Sequence, residues 1–125
     1  MTTILHITTR KVWAESQATG QYAPESLQTE GFIHFSTAQQ VVQVANNFYH
    51  AQRGLVLLIV DTERLTARLE WEPPVHPASA SLDMPPVTGE LFPHLYGALN
   101  INAVAKVVDF EPDEDGAFTL PEIGD

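Results

Sequence analysis

The chain has 125 residues, of which 44% are hydrophobic, and this is enough to build one core, so we expect a single domain over residues 1–125. It contains no cysteine, which excludes thiol nucleophiles, disulfides and thiolate metal sites. The formal charge of −10 opposes nucleic-acid binding, and the longest apolar run, Leu55 to Val60, is too short to span a bilayer. We therefore expect a cytoplasmic protein, a monomer or small homo-oligomer, without nucleic-acid or membrane partners.

The N-terminal segment predicts a strand followed by a helix. Ile4 to Thr8 predicts a strand, and the helix from about Arg10 to Ala18 has Thr9 as its N-cap. Gly20 is suited to end this helix because glycine adopts the left-handed conformation without strain. Residues 21–30 are predicted to form a loop.

The next segment predicts a second strand and a second helix. The strand is expected at Phe32 to Ser36, and Thr37 with Gln40 matches the capping box of a helix start. The helix is predicted to end near Arg53-Gly54. Its apolar positions have the spacing of one buried stripe: Ala38, Val41, Val42, Ala45, Phe48 and Tyr49.

The second half predicts strands without helices. Leu55 to Asp61 is an apolar run typical of a central strand, and further strands are expected at Arg68 to Glu72, about Ala103 to Phe110, and Ala117 to Leu120. Pro73 to Thr88 is predicted to be a long loop placed to cover a binding site. Helices confined to the first half favour an α+β domain with a small, bent, largely antiparallel sheet and two main helices.

Three histidines, His6, His34 and His94, lie in segments predicted as strand or strand edge. His6 precedes Thr8 by two residues and His34 precedes Ser36 by two, so each imidazole shares a strand face with a hydroxyl. Because histidine titrates near neutrality, this pattern indicates a cleft for acid–base chemistry or for recognition of a small polar ligand.

The residues alone leave other interpretations open. A histidine in a strand is often a packed residue bonded to backbone. Repeated His-x-Thr/Ser is also typical of two-histidine phosphoesterases, although the chain shows no duplicated lobe or basic phosphate cradle. A three-histidine metal site is a further alternative, but no spacing fixes its geometry, and we predict no bound transition metal.

Two carboxylates are placed to reach the histidines, and Glu30, directly before Gly31, is a third candidate. Glu72 ends a predicted strand, and Glu90 comes just before the segment that contains His94. We assign candidate catalytic roles to His34, Glu90 and His94. The candidate ligand contacts are His6, Thr8, Ser36, Tyr49, Glu72 and Tyr96.

Five segments, taken in order, resemble the bacterial family known as domain of unknown function 952. They are His6–Thr8, Glu30–Thr37, Ala45–Tyr49, Leu69–Glu72 and Phe92–Gly97, and the resemblance covers nearly the whole chain. It implies a fold similar to the ADP-ribosyltransferases, whose split sheet binds NAD, so NAD or a similar nucleotide is the expected substrate or ligand.

The same resemblance implies particular roles. His6 corresponds to the first-strand histidine that contacts the adenosine ribose in those enzymes. Gly31 to Ser36 looks like the strand that leads into their next helix, with Tyr49 as the later tyrosine, and His34 stands where an aromatic ring stacks on nicotinamide. The glutamate that holds the nicotinamide ribose would be Glu90 or Glu72.

Overall fold

A computed structural model describes residues 3–73 and 91–121. This part of the chain contains three α-helices, α1 (Arg10–Thr19), α2 (Ser26–Thr29) and α3 (Ala38–Phe48). Its strands are β1 (Thr3–Thr9), β2 (Gln21–Tyr22), β3 (Ile33–His34), β4 (Leu55–Asp61), β5 (Arg68–Glu72), β6 (Phe92–Tyr96), β7 (Leu99–Asn100) and β8 (Val104–Phe110).

The strands form three small sheets in the orders β1-β4-β8, β2-β7 and β3-β6-β5. Every pairing between them is antiparallel. The first sheet is joined to the third where Leu5 and Ser36 exchange two backbone hydrogen bonds of 2.7 and 2.8 Å. The predicted α+β class with a largely antiparallel sheet is confirmed.

The central strand β4 is buried along its whole length, as its apolar run predicts. Alternate side chains of a strand point to opposite faces, so β4 contributes to two cores. Val56, Leu58 and Val60 pack on the side of the β3-β6-β5 sheet, with Ile33 and Leu95. Leu55, Leu57 and Ile59 pack on the side of α3, with Val41 and Phe110.

Both main helices begin as the sequence predicts. Thr9 accepts a hydrogen bond from the Val12 amide at 3.1 Å, and Gly20 ends α1 with a φ of 87°. In α3, Thr37 and Gln40 form the complete capping box. The predicted end near Gly54 is wrong, because α3 ends at Phe48 and the chain then turns.

Three other predictions are corrected by the structure. Residues 21–30 are not only a loop, since they contain β2 and α2, and the second strand is shortened to Ile33–His34. Ala117 to Leu120 is not a strand. Instead the Asn46 side chain bonds the backbone of Phe118, with distances of 2.6 Å from its N–H and 3.3 Å from its carbonyl, so an amide side chain takes the place of a partner strand.

Of the predicted loop Pro73 to Thr88, the described residues include Pro73 alone. Glu90 also lies outside the described residues. Within residues 3–73 and 91–121, none of the helices has the length and apolar character needed to cross a bilayer.

Candidate functional site

A cavity of about 530 Å³ lies beside the outer edge of β1. One edge of β1 pairs with β4 along its whole length, and the other edge meets the third sheet at the Leu5–Ser36 bridge. The cavity lies beyond this bridge, between β1, α3 and the loop that precedes α2. We call it the β1-edge cavity.

The alternation of β1 gives this cavity two chemically different walls. Leu5 and Ile7 belong to the core on the α3 side, whereas His6 and Thr8 project to the opposite face. The apolar wall consists of Leu5, Ile7, Val44, Phe48 and Leu55. The polar wall includes His6, Thr8, Tyr22, His34 and Ser36, and Glu25 also lines the cavity.

His6 is hydrogen-bonded through both ring nitrogens. Nδ1 lies 2.5 Å from the backbone oxygen of His34, and Nε2 lies 2.7 Å from the Tyr22 hydroxyl. Burial lowers the pKa of His6 to about 4, although the bond to the His34 carbonyl acts in the opposite direction. The imidazole is therefore neutral near pH 7, and a direct ligand contact would require one of these bonds to be exchanged.

Tyr22 connects His6 to Thr8. Its hydroxyl lies 3.1 Å from Thr8 Oγ1, and burial raises the pKa of Tyr22 to about 12. Burial also raises the pKa of Tyr49, which lies at the C-terminal end of α3 and lines the same cavity. Both phenols therefore keep their protons near neutral pH.

His34 lines the cavity and also contacts a second set of polar and aromatic side chains. Its Nε2 lies 2.9 Å from Glu30 Oε1, and its ring meets the His94 ring edge-on at a centroid distance of 5.6 Å. The register explains this contact, since His34 and His94 are directly opposite each other on β3 and β6. Phe32 also packs against His34, at 4.8 Å.

The second group, which we call the β6 cluster, consists of Phe32, Glu72, His94 and Tyr96. His94 Nδ1 lies 2.8 Å from Glu72 Oε1, and Tyr96 donates its hydroxyl hydrogen to the same oxygen at 2.5 Å. Phe32 stacks on the His94 ring at 4.2 Å. The Arg68 guanidinium lies 4.5 Å from the centre of the Tyr96 ring.

These contacts set the charges of the β6 cluster. The hydrogen bonds from Tyr96 and His94 lower the pKa of Glu72, so its carboxylate is ionised at neutral pH. The hydrogen bond between Tyr96 and Glu72 also raises the pKa of Tyr96. Burial lowers the pKa of His94 despite the neighbouring Glu72, so His94 is neutral and donates from Nδ1.

The structure thus divides the sequence-predicted site residues between two adjoining groups. His6, Thr8, His34, Ser36 and Tyr49 line the cavity. Glu72, His94 and Tyr96 form the β6 cluster, which touches the cavity through His34. The third predicted catalytic residue, Glu90, lies outside the described residues. In the described ranges, no three histidine or carboxylate side chains are grouped so that they could hold a metal ion.

Sequence reasoning did not assign Tyr22 or Phe32 to the site. The position of Tyr22 had a signal, because Gly20 turns the chain back after α1 and brings the next residues towards β1. Phe32 carries no comparable signal, since its partner His94 is far away in sequence and becomes its neighbour only when β3 pairs with β6.

Comparisons with known proteins agree over most of the chain. The model of a family described as "Protein of unknown function (DUF952)" matches residues 7–107. An X-ray crystal structure of protein CC0527 from Caulobacter crescentus is similar, with a TM-score of 0.78 and 32% identity, and the match covers 95% of each chain. A double mutant of that protein gives a TM-score of 0.78 at 31% identity, also over 95% of each chain.

The solution NMR structure of CC0527 gives a TM-score of 0.72 at 32% identity, covering 94% of this chain and 91% of that one. A search of curated proteins gave no match.

Proposed function

Because the chain belongs to the family described as "Protein of unknown function (DUF952)", a description that states no reaction, we propose a function from the site itself: the β1-edge cavity binds the nucleoside portion of NAD or of a related ADP-ribose nucleotide. The observation that carries this proposal is the pairing of an apolar wall with a wall of hydrogen-bonding groups. A nucleoside has the same two parts, a flat heterocycle and a ribose with hydroxyl groups.

The size of the cavity supports this class of ligand. Small-molecule sites commonly enclose about 300–1,000 Å³, and the cavity of about 530 Å³ falls within that range. Val44 and Phe48 offer apolar contact for a base, while the hydroxyl oxygens of Thr8 and Ser36 can bond to ribose.

The charge of the wall favours the nucleoside portion over the phosphates. Among the described residues, those that line the cavity include no lysine or arginine, and the whole chain has a formal charge of −10. Phosphate groups bind best to cationic side chains, so the diphosphate of NAD would extend towards solvent.

The same proposal includes an arrangement of sheets around the cavity like that of the ADP-ribosyltransferases. Its support is that the strands form separate antiparallel sheets and that the cavity lies beside β1, an edge strand of the first sheet. His6 on the first strand and Tyr49 at the end of α3 line that cavity, in the chain order that the resemblance implies.

Processing of NAD would require a carboxylate near the bound ribose. Of the two glutamates that the resemblance implies, Glu72 lies within the described residues, and its ionised carboxylate could stabilise a developing positive charge. Glu72 is held by His94 and Tyr96, however, and is not among the residues that line the cavity. This observation favours the second candidate function, a binding module that uses the same cavity without catalysis.

Isothermal titration calorimetry with NAD, ADP-ribose and adenosine tests the binding proposal. We expect all three to bind, and Ser36→Ala to weaken their binding by about tenfold, as the loss of one hydrogen bond predicts. Ser16→Ala is the matched control, because Ser16 is a buried serine outside the cavity lining. Absence of binding by all three at millimolar concentration would refute the proposal.

Chromatography of NAD incubated with the protein separates the two candidates. Release of nicotinamide that is lost in Glu72→Gln would support an enzyme. Binding of intact NAD without release of nicotinamide would support the binding module.

A further inference from the structure

We propose that Thr8 determines the specificity of the β1-edge cavity, because a directional hydrogen-bond chain through His6 and Tyr22 leaves the Thr8 oxygen as an acceptor only. The cavity would therefore select ligands that present an O–H or N–H hydrogen to Thr8. This inference rests on the proposed function only in taking the cavity as the ligand site.

The direction of the chain is set at its buried end. A backbone carbonyl oxygen has no hydrogen to donate, so the His6 nitrogen that lies 2.5 Å from the His34 oxygen must carry the hydrogen. Nδ1 is therefore the protonated nitrogen of His6, and Nδ1–H donates to the carbonyl.

The second link follows from the neutral charge of His6. A neutral imidazole has one N–H and one lone pair, so Nε2 is an acceptor. The Tyr22 hydroxyl is 2.7 Å from Nε2 and must donate its hydrogen there. Burial of both groups supports this assignment, since it lowers the pKa of His6 to about 4 and raises the pKa of Tyr22.

The third link fixes Thr8. A phenol has a single hydrogen, and that of Tyr22 is already given to His6. The 3.1 Å contact between Tyr22 and Thr8 is then a hydrogen bond in which Thr8 donates and the Tyr22 oxygen accepts. The hydroxyl hydrogen of Thr8 is therefore donated within the protein, and only the lone pairs of its oxygen are available to a ligand.

This arrangement gives His6 and Tyr22 positioning roles, so that Thr8 is the member of the three that contacts the ligand. Thr8 lines the cavity and is only 8% exposed, so an unpaired lone pair there is shielded from most water. A ribose hydroxyl can donate to it, whereas an ether or carbonyl oxygen at the same place would face an acceptor.

The first test needs no ligand. Long-range ¹H–¹⁵N NMR at pH 7 should show His6 neutral with its hydrogen on Nδ1. Tyr22→Phe should move the Nε2 resonance of His6 downfield, because it removes the hydrogen-bond donor. Tyr49 also lines the cavity but is not part of the hydrogen-bond chain, so Tyr49→Phe should leave that resonance unchanged. A hydrogen on Nε2, or a charged imidazole at pH 7, would overturn the inference.

The second test compares a donor with an acceptor and uses no nucleotide. The probes are cis-1,2-cyclopentanediol and its dimethyl ether, followed through the Ile7 methyl resonances in the cavity wall. We expect the diol to bind about tenfold more tightly. This preference should persist in Thr8→Ser and disappear in Thr8→Val, which keeps the shape of the side chain.

Equal binding of the two probes, or no binding of either, would count against the inference, as would a preference that survives in Thr8→Val. Failure of NAD, ADP-ribose and adenosine to bind would instead count against the nucleotide proposal alone. The two failures are therefore distinguishable.

Discussion

His6, His34 and His94 look alike in sequence, yet each has a different environment in the fold. His6 is enclosed between a carbonyl and a phenol, and His94 is bonded to Glu72 beneath the ring of Phe32. His34 is partly accessible, with a side chain that is 33% exposed next to Glu30. The three imidazoles therefore have distinct chemical capacities, and His34 is the one placed to meet both the cavity and the β6 cluster.

The lowered pKa of His6 predicts a loss of stability in acid. Between pH 6.5 and about 4 the unfolded chain binds a proton at His6 that the folded chain does not, so the free energy of unfolding falls as the pH falls. We expect this group to contribute a decrease of about 2 kcal/mol between pH 7 and pH 5. Urea unfolding at several pH values measures it.

His6→Asn keeps an N–H that can donate to the His34 carbonyl but cannot titrate, so it should remove this part of the pH dependence. A smaller part should remain, since the pKa of His94 is also lowered. His50→Asn, at an exposed histidine, is the control. An unchanged pH dependence in His6→Asn would contradict the prediction.

The contacts of the β6 cluster predict how a single substitution changes the pKa of Tyr96. Replacing Glu72 with glutamine removes the negative charge that accepts the Tyr96 hydroxyl, so the pKa of Tyr96 should fall towards its ordinary value. NMR titration of the Tyr96 ring measures this change. Glu63→Gln, at an exposed glutamate on the turn Thr62–Arg64, should have no such effect. An equal effect of both variants would show that Glu72 does not act through this bond.

At the scale of elements, β1 and α3 do most to build the cavity. The period of two in β1 separates the apolar wall from the polar wall, and α3 closes the apolar side with Val44 and Phe48. Gln40 also links α3 to the residue that precedes β6, since its side-chain nitrogen donates to the Leu91 carbonyl at 2.7 Å. The start of α3 is therefore fixed both by its own capping box and by a contact across the fold.

Removal of the cap should loosen α3 measurably. Thr37→Ala deletes the hydroxyl that accepts from the Gln40 amide and should lower the free energy of unfolding by about 1 kcal/mol. Thr37→Ser keeps an accepting hydroxyl and should cost much less. Guanidinium denaturation compares the two variants, and equal losses would mean that the cap does not stabilise the helix.

For the whole molecule, stability is concentrated around β4, which packs on two cores at once. Phe118 adds to the core on the α3 side, where its ring lies 4.7 Å from the Phe110 ring. The cavity lies at the margin of the same core, so Phe48 is only partly buried. Such an arrangement places the rigid core next to the candidate site without filling the site.

Substitutions in the core and at the cavity should therefore differ in cost. Leu57→Ala, at a fully buried β4 position, should lower the free energy of unfolding by about 2–5 kcal/mol. Phe48→Ala should cost less, because its ring faces the cavity and leaves less empty volume in the core. Denaturant unfolding compares them, and a greater loss for Phe48→Ala would place Phe48 in the core after all.

Local signals predicted much of the fold and part of the site. Thr9, Gly20 and the Thr37 capping box located the helix boundaries because capping depends on neighbours within a few residues. The prediction failed for Ala117 to Leu120, where apolar residues alternate but the Asn46 side chain supplies the bonds that a strand would need. That contact depends on residues far apart in sequence, and no local pattern reports it.

Composition, capping and the period of a strand are local properties, and from them the sequence predicted the α+β class, the buried path of β4 and a hydroxyl in the cavity lining near each of His6 and His34. The bonding partners of each histidine, in contrast, come from distant segments of the chain. The pairing of β3 with β6 placed His34 against His94, and the return of the chain after Gly20 placed Tyr22 between His6 and Thr8. Hydrogen-bond direction and pKa depend on such distant partners, because burial and bonding act through space and not along the chain.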